Sequence, residues 1–189
     1  MNFKNFDSKN YDIIYAGILR PALNESREPI THKPCLLYNN KKNYPLLENG
    51  NRDFCYCVLT DSSELNKLPE KVKINLPKEP GVYLWVINGI VQYVGRATGS
   101  KTDTLYSRFR SGYGNISPKN CYKGGQSTNI KMNGLVLDSY RNKEEIKIYY
   151  ILAKNSEDAK CIEADLISTN WERKELGLCL TYNARKEKH

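Results

Sequence analysis

The chain lacks several features that would assign it to a common class. Its 189 residues contain no apolar run near the roughly 20 residues that span a membrane. The first residues are polar and lack the apolar core of a signal peptide. Six cysteines are scattered without a CxxC pair, and only two histidines are present, His32 and His189. These absences argue against membrane insertion, export, a zinc site and histidine-dependent nuclease chemistry, and predict a cytoplasmic protein with reduced thiols.

Positive charge is what the chain has in excess, and much of it lies in one stretch. The net charge is +8, and residues 96–131 contain seven basic residues and one acidic residue. The basic residues are Arg96, Lys101, Arg108, Arg110, Lys119, Lys123 and Lys131. Basic side chains bind phosphates, and the aromatic rings between them can stack on bases. Charge alone favours a solvated lysine-rich surface, and the alternative is a DNA-binding surface.

Regular secondary structure is easier to read after residue 80 than before it. Strands are predicted at 82–86, 90–94 and 145–153, and helices at 104–111, at 127–141 and from 155 or 156 onwards. Residues 80–189 therefore predict an α+β domain with a small three-stranded antiparallel sheet flanked by helices. Residues 1–79 are predicted to be an N-terminal extension that adds strands or contacts DNA as an arm. Within it, 11–19 reads as a helix or a strand, and 54–59 and 71–76 read as strands.

The turn at Asn88 and Gly89 decides which way two tyrosines face. A two-residue turn would pair Tyr83 with Val94 and place the phenols on opposite faces. A three-residue loop with Gly89 as a bulge would pair Tyr83 with Tyr93 on one face. Chemistry shared by the two phenols needs the second register, and we predict it.

A carboxylate interrupts the apolar side of the last long helix. Ala159, Ile162, Leu166 and Ile167 form the core-facing stripe, and Glu163 occupies a position within it. A buried carboxylate is costly unless a cation or hydrogen bonds accompany it. Glu163 can therefore have a structural role, either in a buried ion pair with an arginine or at the edge of the stripe. The alternative is that Glu163 is a functional carboxylate.

Five motifs occur in a recognisable order. They are GVY at 81–83, YVG at 93–95, LYSRF with Arg108, AKCIEADLI with Glu163, and LTYNAR with Asn183. Together they resemble the GIY-YIG nuclease superfamily over roughly residues 80–185. The resemblance implies a DNA endonuclease that hydrolyses phosphodiester bonds with one divalent metal ion.

The resemblance also implies a role for each motif residue. Tyr83 would lie beside the attacking water as general base, and Tyr93 would orient that water or the scissile phosphate. Arg108 would bind phosphate oxygens and keep its charge in the transition state. Asn183 would form hydrogen bonds around the site, and Arg96 matches a position that is often polar or basic.

Glu163 would be the sole protein carboxylate on the metal. Hard oxygen ligation with several retained waters suits Mg²⁺, and Mn²⁺ can substitute. No organic cofactor is expected.

One part of the pattern is displaced in this sequence. The family commonly places a tyrosine or histidine four residues beyond the arginine, whereas position 112 is glycine and Tyr113 follows it. Either Tyr113 reaches back or Arg110 shares the role.

Because no long C-terminal DNA-reading arm is present, the sequence predicts a restriction-type enzyme that acts on double-stranded DNA, and a homodimer is compatible with that role. The alternatives are a catalytically inactive DNA-binding module, or a repair or homing nuclease of the same superfamily.

Overall fold

A computed structural model describes residues 2–32, 54–60, 76–109, 116–118, 121 and 127–183. The strand predicted at 71–76 lies outside these ranges except for Leu76. Within the described ranges, no helix has the length and apolarity needed to cross a bilayer.

Five strands form one antiparallel sheet, and two short strands pair beside it. The strands are β1 (Ile14–Pro21), β2 (Thr31–His32), β3 (Phe54–Cys55), β4 (Cys57–Thr60), β5 (Gly81–Ile87), β6 (Ile90–Ala97) and β7 (Ile146–Leu152). The sheet order is β4-β1-β7-β5-β6, and β2 pairs with β3. All neighbouring strands in the large sheet are antiparallel.

The prediction of a three-stranded sheet is therefore wrong. Strands β7, β5 and β6 are adjacent, but β7 also pairs along its other side with β1, which in turn pairs with β4. The reason is visible in β7, where Ile146, Ile148, Tyr149 and Ile151 are buried on both faces of the strand. A strand buried on both faces needs a hydrogen-bonding partner on each side, and residues before position 80 supply the second one.

Four helices lie within the described ranges. They are α1 (Leu105–Phe109), α2 (Ser127–Arg141), α3 (Ser156–Thr169) and α4 (Trp171–Glu175). The Thr104 hydroxyl accepts a hydrogen bond from the Ser107 N–H at 3.1 Å, so Thr104 caps α1. The Asn155 side chain accepts from the Asp158 N–H at 2.9 Å and caps α3. These side chains account for where both helices begin.

The two faces of the sheet pack against different helices. On the α2 face, Tyr83, Trp85 and Ile87 contact α1 and α2. On the α3 face, Val82, Leu84 and Val86 contact α3. Alternate residues of β5 thus enter two separate cores, as the period of a strand requires.

The β5–β6 hairpin adopts neither predicted register. Asn88 and Gly89 have φ values of 53° and 80°, so both are left-handed, as in a two-residue type I′ turn. The register then shifts between Trp85 and Val86, which leaves one extra residue, Gln92, in β6. Beyond this bulge, Trp85 pairs with Tyr93, and Tyr83 pairs with Gly95. The predicted Tyr83–Tyr93 pairing is wrong, but the bulge returns both phenols to the α2 face.

Candidate active site

Tyr83 and Tyr93 meet above the backbone of Gly95. Their ring centroids are 6.2 Å apart with planes tilted by 45°, and each phenol influences the pKa of the other. A Cβ atom on Gly95 would lie 2.7 Å from atoms of both rings. Only glycine leaves room for the pair, so Gly95 is part of the site's construction.

Arg108 reaches the phenols from helix α1 and is held by Asp103. The Arg108 Nε lies 2.5 Å from Asp103 Oδ1. The other carboxylate oxygen accepts hydrogen bonds from the Thr98 N–H at 3.2 Å and from the Thr98 hydroxyl at 2.7 Å. Asp103 lies five residues before Arg108, which is not a helical contact spacing, so no sequence signal indicated this ion pair.

The electrostatic environment keeps both phenols protonated at neutral pH. Burial raises the pKa of Tyr83, and the charges of Glu163 and Asp103 raise it further, while Arg108 and Tyr93 lower it only in part. Burial, then Tyr83 and Glu163, also raise the pKa of Tyr93. Tyr83 is therefore a hydroxyl group in this state, and a base role needs additional positive charge nearby.

The same environment keeps the arginine charged. Burial alone would lower the pKa of Arg108, but Tyr83 and Asp103 outweigh it and the net pKa is raised. Desolvation would raise the pKa of Asp103, yet the Thr98 hydrogen bonds and the Arg108 charge lower it overall. The pair therefore places a fixed positive charge beside the phenols.

Glu163 lies on α3 with only 7% of its surface exposed. Its Oε2 accepts a hydrogen bond from Arg96 Nη1 in an ion pair. The structure thus contains the buried glutamate–arginine pair that was one interpretation of the sequence. Glu163 also acts electrostatically on Tyr83 and Tyr93, so its charge is felt at the phenols. Glu163 thus forms a structural ion pair and also acts electrostatically on the two phenols.

A divalent metal ion would have one carboxylate available from the motif residues. Among the described residues, no group of three or more His, Cys, Asp and Glu could hold a metal. Mg²⁺ commonly binds through one or two carboxylates and keeps several waters. A buried carboxylate that is electrostatically coupled to two phenols fits that mode of binding. Arg96 would compete with the ion for the Glu163 carboxylate.

Asn183 acts on the backbone of the edge strand. Its Oδ1 accepts from the Val94 N–H at 2.9 Å and its amide donates to the Val94 carbonyl at 2.8 Å. Leu180 N–H and Tyr182 N–H donate to the Val91 and Gln92 carbonyls at 2.7 and 3.0 Å. Asn183 therefore positions the strand that carries Tyr93.

The predicted DNA-binding residues are only partly described. Lys101 and Lys131 are exposed, on the turn before α1 and on α2. Arg96 is committed to Glu163 and 32% of its side chain is exposed. The remaining predictions, for Tyr113, Arg110, Lys119 and Lys123, lie outside the described residues and stay predictions.

A small pocket lies between the phenols and α2. Besides Tyr83, Tyr93 and Arg108, its walls include Trp85, Phe109, Thr128, Asn129 and Met132. No sequence pattern indicates that Trp85 and the first turn of α2 line the same pocket, because this arrangement depends on how the helix crosses the sheet.

No protein-family model, curated protein or solved structure matches this chain. The resemblance to a nuclease superfamily therefore depends on the ordered motif residues alone. The structure adds the positions of these residues relative to one another, and those positions do not depend on any relative.

Proposed function

We propose that this protein is a divalent-metal-dependent endonuclease of the GIY-YIG type that hydrolyses phosphodiester bonds in double-stranded DNA, with a restriction-type role favoured. The observation that carries the proposal is the close phenol pair above Gly95, with the partly buried, charged Arg108 beside it. A structural role alone would not require two hydroxyl groups and a guanidinium to converge on a pocket.

The proposed chemistry uses the phenols as proton-holding groups around a phosphate. Both phenols are protonated, so each hydroxyl can donate a hydrogen bond to a water or a phosphate oxygen. Arg108 keeps its charge and can bind two phosphate oxygens as negative charge develops on them. Asp103 acts by holding the guanidinium in place.

Glu163 is the residue that would hold the metal ion. When bound there, Mg²⁺ would supply positive charge to polarise a phosphate oxygen or a water. The carboxylate charge of Glu163 contributes to the raised pKa of Tyr83, but burial is the larger cause, so a cation at Glu163 would lower that pKa only in part. Arg96 fixes the carboxylate orientation through its ion pair.

Two observations favour a second candidate, a non-catalytic DNA-binding module. Glu163 is already neutralised by Arg96, and burial raises the pKa of Tyr83. In such a module the same basic stretch would bind DNA without hydrolysis. Metal-dependent cleavage separates the two candidates, because only the nuclease needs Glu163 as a ligand.

Location and assembly complete the proposal. A cytoplasmic protein with reduced thiols is consistent with the five described cysteines, all of which are free. A homodimer would let a restriction-type enzyme act on both strands. Sedimentation of the protein with and without a DNA duplex measures that state directly.

The decisive experiment is a cleavage assay with a matched variant. Purified protein is incubated with supercoiled plasmid and genomic DNA, in Mg²⁺ or in EDTA, and the resulting ends are sequenced. We expect Mg²⁺-dependent strand breaks, and discrete ends would indicate restriction-type specificity. Random nicks would point to repair or degradation. Binding without breaks under any divalent ion would replace the nuclease by the DNA-binding module.

A further inference from the structure

A buried donor in the wall of the small pocket has no acceptor. Trp85 follows Tyr83 by two residues on β5, so both side chains enter the α2 face of the sheet. Only 1% of Trp85 is exposed, and its indole N–H has no hydrogen-bond partner among the described residues. Because a buried donor without a partner destabilises a fold, this N–H marks a position where an acceptor is needed.

The size of the pocket limits what that acceptor can be. The pocket has a volume of about 20 Å³. A water molecule needs roughly 10–15 Å³, so one or two waters fit, whereas a phosphate, a sugar or a base does not. Phe109 packs against both neighbouring rings, with its centroid 5.2 Å from that of Tyr83 and 6.3 Å from that of Trp85. Water is therefore the ligand whose size matches this pocket.

The walls also supply the polar groups that a bound water requires. A buried water typically makes about three hydrogen bonds, and cavities that stay empty are apolar. Besides Trp85, the walls include Tyr93, Arg108, and Thr128 and Asn129 from the first turn of α2. An indole N–H can only donate, whereas water both accepts and donates. A water can therefore connect the indole to a side-chain oxygen on the opposite wall.

We propose that the pocket binds a water molecule that accepts a hydrogen bond from the Trp85 N–H and donates one to the side-chain oxygen of Asn129. The water satisfies the indole donor and links β5 to the first turn of α2. This link lies in the pocket that Tyr83 and Tyr93 also line. The binding of this water does not depend on the proposed nuclease activity, because it requires neither DNA nor a metal ion.

Magnetisation transfer between the indole proton and water tests the proposal directly. The chain has two tryptophans, so Trp171→Phe assigns the remaining indole signal to Trp85. In paired NOE and ROE spectra of the isotopically labelled protein, a bound water gives a cross-peak whose sign differs between the two spectra, whereas chemical exchange gives the same sign in both. We expect the cross-peak of differing sign at the Trp85 indole proton. Its absence would overturn the proposal.

Hydroxyl protons that exchange with water would give a similar cross-peak, and three variants distinguish the two sources. Thr128→Val, Tyr83→Phe and Tyr93→Phe each remove one hydroxyl from the wall of the pocket. A bound water keeps the cross-peak in all three variants. Loss of the cross-peak in one of them would assign the signal to that hydroxyl and contradict the proposal.

Asn129→Leu tests the second hydrogen bond of the water. Leucine has a similar size but no acceptor, so the cross-peak should weaken about tenfold. Asn142→Leu is the matched control, since Asn142 is exposed just after the same helix, and it should keep the full cross-peak. Equal cross-peaks in the two variants would overturn the bridge to Asn129.

A crystal structure of the unaltered protein provides a second measurement that does not depend on how the variants fold. A water oxygen within about 3.2 Å of both Trp85 Nε1 and the Asn129 side-chain oxygen supports the proposal. A protein acceptor on the indole nitrogen, or a pocket without ordered water, contradicts it. Neither result depends on whether the protein cleaves DNA, so failure of this proposal is distinguishable from failure of the nuclease.

Discussion

Polar groups on the two faces of the β5–β6 hairpin differ in whether they have partners. On the α2 face, Tyr83 and Tyr93 border a pocket whose indole donor is unsatisfied. On the α3 face, Arg96 and Glu163 neutralise each other beneath helix α3. One face thus leaves a buried donor unpartnered beside a pocket, whereas the other pairs its charges internally.

Adjacent residues of one strand produce this division. Gly95 points to the α2 face and Arg96 to the α3 face, because alternate residues of a strand face opposite ways. The absent side chain at Gly95 also lets the phenols lie close to the edge strand. A catalytic set that includes Glu163 must therefore act across β6, and each prediction below tests whether the two faces form one site.

The largest effect is expected from Glu163→Gln. The variant keeps the shape of the side chain and removes the charge that would hold the metal, so cleavage should fall on the order of 10³-fold while DNA binding persists. Plasmid cleavage rates and a DNA-binding titration measure the two quantities. Glu157→Gln, on the exposed first turn of α3, is the matched control. Undiminished cleavage by Glu163→Gln would assign the α3 face a purely structural role.

Gly95→Ala should disrupt the phenol pair on the α2 face. A methyl group would lie 2.7 Å from both tyrosine rings, so the phenols must separate and cleavage should drop about 100-fold. Gly177→Ala is the control, since its φ of +72° makes alanine strained but nothing lies within 4 Å of its Cβ. If both variants lose activity in proportion to their loss of stability, the phenol pair has no special catalytic position.

Asp103→Asn should have an intermediate effect on the α2 face. Arg108 would lose its charged partner at 2.5 Å and become less well positioned, so kcat should fall about tenfold while the Kd for DNA changes little. Asp12→Asn, at an exposed position before β1, is the control. A change in Kd of the same size as the change in kcat would make Asp103 a general structural residue.

Alkaline pH should reveal the buried phenols without any activity assay. The pKa values of Tyr83 and Tyr93 are raised in the folded state, so their contribution to the free energy of unfolding is complete below pH about 10 and declines as pH rises. Urea unfolding between pH 9 and 11 should show a steeper decline in wild type than in Tyr83→Phe, by up to about 1.4 kcal/mol per pH unit. Equal slopes in the two proteins would contradict a raised pKa for Tyr83.

The smallest expected effect concerns the exposed lysines of the 96–131 stretch. Replacing Lys101 and Lys131 together by alanine should flatten the dependence of log K on log salt by up to about 2, without changing turnover of bound DNA. Replacing Lys154 and Lys160 removes the same charge elsewhere and should leave the slope intact. Equal slopes for the two double variants would indicate that DNA binds outside residues 96–131.

Local sequence patterns predicted much of this molecule. The helix at 127–141 and the burial of Glu163 are confirmed, because both follow from periodicity within a short window. The helix caps at Thr104 and Asn155 are likewise short-range and could be read from the residues.

Long-range pairing is where the sequence fell short. One edge of β7 is filled by β1, which lies more than 120 residues away in the chain, and no local pattern specifies that partner. The bulge at Gln92 is also not encoded by the turn residues, since Asn88 and Gly89 form the ordinary two-residue turn. The Asp103–Arg108 pair and the backbone contacts of Asn183 depend on loop geometry in the same way.

The contacts along the outer side of β6 bear on how copies of this protein can associate. Leu180, Tyr182 and Asn183 take up hydrogen-bonding groups of Val91, Gln92 and Val94 on that strand. An edge strand with free backbone groups invites edge-to-edge aggregation, and occupied groups prevent it. Two copies therefore cannot extend the sheet through this part of β6, and any self-association must use another surface. Loss of residues 180–183 would leave these hydrogen-bonding groups of β6 unpaired and open to edge-to-edge association.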